Sequence, residues 1–219
     1  MISNIIKSRQ RVSDHGEVFT ADREVNAMLD LVKPETERID SRFLEPACGS
    51  GNFLIEVLRR KLAIVAGRYG KSQLDFERYS IVALGSIYGV DLLEDNVAEC
   101  RDRLFDYFDK VYSKHFGDKC RPECRMSAKF VLERNIICGD ALTMKTAGKT
   151  PEPIVFSEWS PVNGSLVKRR DYSLAHLLVY QPMEGPSLFS DLGEEAFIPK
   201  PVRDFPLTHY LKLAEVADA

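Results

Sequence analysis

The chain lacks any apolar run approaching the roughly 18 residues of a membrane span. Its first residues, Met1 to Gln10, lack the hydrophobic core of a signal peptide. A cytoplasmic location without membrane contact is the expectation. Cysteine is sparse. Cys48, Cys100, Cys120, Cys124 and Cys138 form no even, closely spaced framework, which argues for reduced thiols over a disulfide scaffold. His115, Cys120 and Cys124 supply three metal ligands at most and lack a second pair, so loop cysteines without a metal are expected. There is no excess of positive charge either: 30 Lys and Arg stand against 33 Asp and Glu. Contact with nucleic acid therefore has to come from a local basic patch or from a partner. No internal repeat is visible. What is present is 219 residues with 44% hydrophobic content, enough for an α/β domain with a proper core.

The most informative run is Phe43-Leu44-Glu45-Pro46-Ala47-Cys48-Gly49-Ser50-Gly51-Asn52-Phe53-Leu54. A short apolar stretch leads into it, and two glycines spaced one apart follow. From Asn52 to about Tyr69, apolar residues recur at helical spacing (Leu54, Val57, Leu58, Leu62, Val65). This spells a strand, a tight turn and a helix. A β-carbon at Gly49 or Gly51 would block a ligand's approach to the backbone, and the helix N-terminal amides point into the same crevice. A dinucleotide fingerprint would carry a third glycine where Leu54 stands, and a phosphate-binding loop would carry a lysine. Glu45 would repel phosphate but accept hydrogen bonds from an amino group. A cationic, amine-bearing cofactor fits better.

Elsewhere the pattern alternates. Helices are expected over 24–32, near 72–84 and from 94 to about 114, and strands over 86–92 and 135–141, with Ile154–Phe156 starting a fourth parallel strand. Such alternation argues for a parallel sheet covered on both faces. After Pro153 the text changes. Stretches 154–162 and 165–174 flank Asn163-Gly164, the favoured two-residue turn of an antiparallel hairpin. Prolines 182, 186, 199, 201 and 206 precede a short final helix over 207–216. Residues 1–150 read as a cofactor domain, and 151–219 as a hairpin and Pro-rich extension.

The glycine run resembles motif I of the class I S-adenosylmethionine methyltransferases, and closely that of the adenine-N6 DNA methyltransferases of restriction-modification systems. Tyr88-Gly89-Val90-Asp91 is similar to motif II, where Asp91 would hydrogen-bond ribose hydroxyls, with Leu92 beside it. Cys138-Gly139-Asp140-Ala141-Leu142 resembles motif III, where Asp140 would accept from the cofactor's adenine amino group. Gly16-Glu17-Val18-Phe19-Thr20 resembles motif X of the γ-type enzymes, except that Ala21 replaces the usual proline. Phe19 would pack beside the methionine end of the cofactor and Thr20 would bind its carboxylate. A capped helix start at Thr20 or Asp22 is compatible with that role. The resemblance covers 16–142 in family order. It implies a Rossmann-like methyltransferase fold with a partial sheet, and S-adenosylmethionine held by Phe19, Thr20, Glu45, Pro46, Ala47, Gly49, Gly51, Asn52, Phe53, Asp91, Leu92, Asp140 and Ala141.

The acceptor side departs from the family. Motif IV, [DNS]-P-P-[YF], should follow at the end of a fourth strand, and the chain has Phe156-Ser157-Glu158-Trp159-Ser160-Pro161 there. Three readings stand. No catalytic motif exists, which is preferred; or Ser157, Glu158 and Trp159 form a divergent site with Glu158 as acceptor and Trp159 as stacking platform; or Gln181-Pro182 serves. Lys168-Arg169-Arg170, near Tyr172 and Trp159, is a candidate nucleic-acid contact, although a basic triple is more often a solvated strand. Two functional expectations follow. One is an S-adenosylmethionine-binding DNA adenine methyltransferase-family protein, with DNA and a specificity or second methyltransferase subunit as partners. The other is a catalytically inactive methyltransferase-fold module that binds nucleic acid or assembles with a partner.

Overall fold

The computed structural model describes residues 20–178 and 200–216. The chain opens with helices α1 (Asp22–Leu31) and α2 (Lys33–Thr36). Next come strand β1 (Phe43–Glu45), α3 (Asn52–Tyr69), α4 (Gln73–Gly85) and β2 (Ile87–Asp91). Helices α5 (Glu94–Phe116) and α6 (Pro122–Asn135) then lead into β3 (Ile136–Asp140) and the short β4 (Lys145–Thr146). The α1 cap is Ala21, with no side-chain hydrogen bond, so neither Thr20 nor Asp22 caps it.

Strands β1, β2 and β3 are parallel, in that order, and β4 closes the sheet antiparallel to β3. Pleating sends alternate side chains to opposite faces, and the two faces are covered differently. Ile87 and Ile136 join the large core formed by α3 to α6, whereas Tyr88 and Val90 pack against Ile154, Phe156 and Leu174. Helices therefore cover one face, and the start of a second sheet covers the other.

That second sheet corrects the expected fourth parallel strand. Strand β5 (Val155–Pro161) pairs antiparallel with β6 (Leu166–Ser173) and with nothing in the first sheet. The short helix α7 (Leu174–Leu178) follows. Strands β7 (Arg203–Asp204) and β8 (Thr208–His209) line the other edge of β6. The reversal has three residues, not two. The Val162 amide bonds the Leu166 carbonyl at 2.9 Å, and Gly164 takes φ +64°. The expected final helix is replaced by β8 and a 3-10 turn, Tyr210–Glu215.

The second sheet shares the first one's core. Trp159, Val167, Tyr210 and Leu213 belong to the same buried cluster as the helices. Trp159 sits over Gly85, where a β-carbon would stand 2.9 Å from its ring. Its Nε1 donates to Asn135 Oδ1 at 3.3 Å. The Tyr210 hydroxyl donates to the fully buried Glu77 at 2.7 Å, and Tyr112 donates to the same carboxylate. Lys61 is also fully buried. Its ammonium donates to the carbonyls of Arg38, Ile39 and Ser41 at 3.1, 3.0 and 2.5 Å, which ties the approach to β1 onto α3. Among the described residues no helix is long and apolar enough to cross a membrane.

Candidate functional site

The turn between β1 and α3 is built by backbone bonds. Cys48 N–H donates to the Val90 carbonyl of β2 at 2.9 Å, and Gly51 N–H returns to the Cys48 carbonyl at 2.8 Å. Both glycines are left-handed, at φ +51° and +85°, a region that L side chains enter at a cost of about 1–2 kcal/mol. They differ in what faces them. A β-carbon on Gly49 would meet nothing within 4 Å, whereas one on Gly51 would lie 2.6 Å from Cys100 Sγ. Only Gly49 therefore keeps an approach open. Gly51 is small because α5 packs against it, which corrects the expectation that both glycines admit a ligand.

Two acids stand where β1 and β2 end. Asp91 is held by three donors: Gly49 N–H at 2.9 Å on Oδ2, and Leu93 N–H at 2.9 Å and Asn96 Nδ2 at 3.2 Å on Oδ1. Glu45 is held by much less. Its Oε2 is buried without a hydrogen-bond partner. Burial, and then the charge of Asp91, raises its pKa to about 8. A half-buried carboxyl with one inaccessible, unpaired oxygen, beside a second carboxylate, is a site that a cation or an ammonium donor would relieve.

Other candidates converge on the same corner. Asn52 Nδ2 reaches the Thr20 carbonyl at 3.4 Å, which brings the last residue of the N-terminal motif beside the glycine turn. Pro46 and Ala47 are exposed, and Phe53 is half-buried against the core. Phe19 lies outside the described residues, as does Gln181-Pro182. Asp140 ends β3, two positions beyond the Cys138 that pairs with Asp91. Its oxygens serve its own turn, accepting from Leu142 N–H at 2.9 Å and the Thr143 hydroxyl at 3.0 Å. Those donors hold its pKa below the usual carboxylate range.

Three contributors escaped the sequence reading. Arg103, from α5, braces the turn through the Ser50 carbonyl at 2.7 Å and Asn52 Oδ1 at 2.9 Å. Asn96 orients Asp91. Leu142 is 93% exposed and Leu92 55%, so the ends of β3 and β2 present two bare apolar side chains. Ala141, just after β3, is half-buried. Leu142 had a signal, since it ends the third motif, and Leu92 was already among the expected residues. Arg103 and Asn96 had none in a single sequence.

The acceptor and nucleic-acid candidates sit elsewhere, in the second sheet, and are engaged there. The Ser157 hydroxyl donates to Asp171 at 2.6 Å and accepts from Arg169 Nε at 3.1 Å. Glu158 is paired with Arg42 and lies 3.7 Å from Arg170. Trp159 is buried, edge-on to Phe130. Lys168 pairs with Asp204 and donates to the Phe205 carbonyl at 2.6 Å. Arg169 is 6% exposed, bonded to Asp171 and stacked over the Phe205 ring. The basic triple is a set of internal braces. The cysteine expectation is corrected in part, because Cys124 is buried on α6 and not in a loop.

Comparison with protein-family models, with curated proteins and with solved structures finds no significant match to this chain.

Proposed function

We propose that this chain binds S-adenosylmethionine at the β1–α3 turn, as a Rossmann-like protein of the adenine-N6 DNA methyltransferase family. The observation that carries the reading is the half-buried Glu45 beside Asp91, its inaccessible Oε2 without a hydrogen-bond partner, under the open approach over Gly49. Those residues fit the cofactor's chemistry. Glu45 would take its amino group, and Asp91, with lone pairs left over from three donors, its ribose hydroxyls. Leu92 and Leu142 would offer apolar surface to the faces of its base, and Ala141 the edge. Thr20, whose carbonyl meets Asn52, would take the carboxylate end. When bound, the cofactor supplies an electrophilic methyl group. The parallel order of β1, β2 and β3 supports the reading, because in such sheets ligands bind beyond the strands' carboxyl ends.

Calorimetry with S-adenosylmethionine tests this. Wild type should bind, and Asp91→Ala should weaken binding by at least about tenfold, the loss of a hydrogen-bonded charged group. Absence of binding, or equal binding by the variant, overturns the site.

The second reading, a catalytically inactive methyltransferase-fold module, is favoured by the engagement of Ser157, Glu158 and Trp159 in the second sheet. On this reading the chain binds nucleic acid or assembles with a partner and transfers no methyl group, whereas on the first a specificity or second methyltransferase subunit supplies target recognition. Transfer of labelled methyl to adenine-containing DNA separates the two. Transfer by the isolated chain would show that an acceptor site lies within it.

A further inference from the structure

The braces at Lys168, Arg169 and Arg170 leave the question of where a nucleic acid would lie, and a different corner of the molecule answers it. An open recess of about 560 Å³ lies at one end of the second sheet, lined by Glu152, Pro153, Val155, Ser173, His176, Val202 and Arg203. Its apolar lining is Pro153, Val155 and Val202, its polar lining includes Arg203, His176 and Glu152, and further lysines lie close by in the chain. Lys145 sits at the wall, since β4 bridges to Pro153 there. Lys149 follows in the adjoining loop, and Lys200 precedes Val202 by two residues. Lys145, Lys149, His176, Lys200 and Arg203 are all exposed, and none has an ion-pair partner among the described residues. Among the described residues the acids nearby are few. Glu152 is in the wall, Asp140 opposes Lys145 but serves its own turn, and Asp204 is taken by Lys168.

We propose that this recess is a nucleic-acid docking surface, with phosphates on Lys145, Lys149 and Arg203 and an unstacked base against the Pro153–Val155–Val202 floor. Charge complementarity selects the partner. In a chain of net charge −3, cations without an ion-pair partner among the described residues, beside an apolar floor, match a polyanion that also carries flat apolar rings. The surface adjoins the end of β3, where Leu142 stands, so a strand held here lies beside the donor crevice. The choice of DNA as the polyanion rests on the methyl-donor reading; the recess and its charge do not.

Fluorescence anisotropy with a labelled oligonucleotide, single-stranded and as a duplex, tests it. The variant Lys145→Glu/Lys149→Glu/Arg203→Glu should bind about tenfold more weakly or worse, and the slope of log affinity against log salt should flatten by about 3, one for each phosphate left without its cation. Charge reversal at Arg68 and Lys71, equally exposed on and after α3, should change affinity less than about twofold. The milder Lys145→Gln/Arg203→Gln should fall between. An equal loss in the Arg68 and Lys71 control overturns the proposal. So does displacement by inorganic polyphosphate as effective as displacement by unlabelled DNA, since the floor then reads no bases. S-adenosylmethionine calorimetry on the same variants reads the donor site apart. Wild type that binds the methyl donor but no DNA at low salt overturns this surface and leaves the donor site standing.

Discussion

Gly49 and Gly51 look alike in the sequence and are left-handed alike in the structure, yet they answer to different neighbours. Gly49→Ala should cost about 1 kcal/mol of stability for its backbone, and should lose S-adenosylmethionine affinity because its methyl enters the approach. Gly51→Ala carries the same backbone cost plus a collision with Cys100, worth about 1–3 kcal/mol more in a packed core. Urea unfolding of Gly51→Ala, Cys100→Ala and the double variant should reveal coupling, with the second change relieving part of the first. Additive effects would show that α5 does not press on the turn. This distinction was not legible in the residues, because a glycine's reason for being small lies in whatever packs on it, here a side chain from α5.

At the scale of elements, the second sheet hangs on a few buried polar joints. Asp171 answers Arg169 and Ser157 where all three are nearly inaccessible. Asp171→Ala would leave a buried guanidinium without its carboxylate and should cost about 3–5 kcal/mol, read as a lower urea midpoint with the methyl-donor crevice unchanged. Where apolar periodicity was strong, the elements were readable. Helix α3 spans 52–69 as expected, and α5 begins at Glu94. Helix α6 was not readable, because its buried stripe is Cys124, Ser127, Ala128, Val131, Leu132 and Asn135, helical in spacing but half small or polar. The hairpin itself was legible from its turn pair. Its partners were not, because β7 and β8 are two residues each and are fixed by β6 alone. Tertiary pairing likewise decided the last segment. With prolines at 201 and 206, the chain runs extended until His209 accepts from Leu211 N–H and a 3-10 turn begins.

For the whole molecule, the buried Lys61 and the half-buried Glu45 set opposing pH trends. Glu45 has a folded pKa near 8 against an ordinary 4.5, so between those values the folded state binds the extra proton. Stability should fall as pH rises through that window. Lys61, pushed down by burial to about 7 from 10.5, does the reverse. Between 7 and 10.5 the unfolded chain binds the extra proton, so stability should climb. Together they place a shallow minimum near neutrality. Urea midpoints at about pH 5, 7.5 and 9 should trace it. Glu45→Gln should flatten the acid limb alone. Lys61→Met should flatten the alkaline limb, and should lower every midpoint because three carbonyls lose their donor. The same argument joins stability to the crevice. A cationic ligand seated between Glu45 and Asp91 favours the ionised carboxylate, so S-adenosylmethionine should raise the midpoint most where Glu45 is otherwise a liability. At about pH 8 the gain should be larger for wild type than for Glu45→Gln. Equal gains would place the ligand's amino group somewhere other than on this carboxyl.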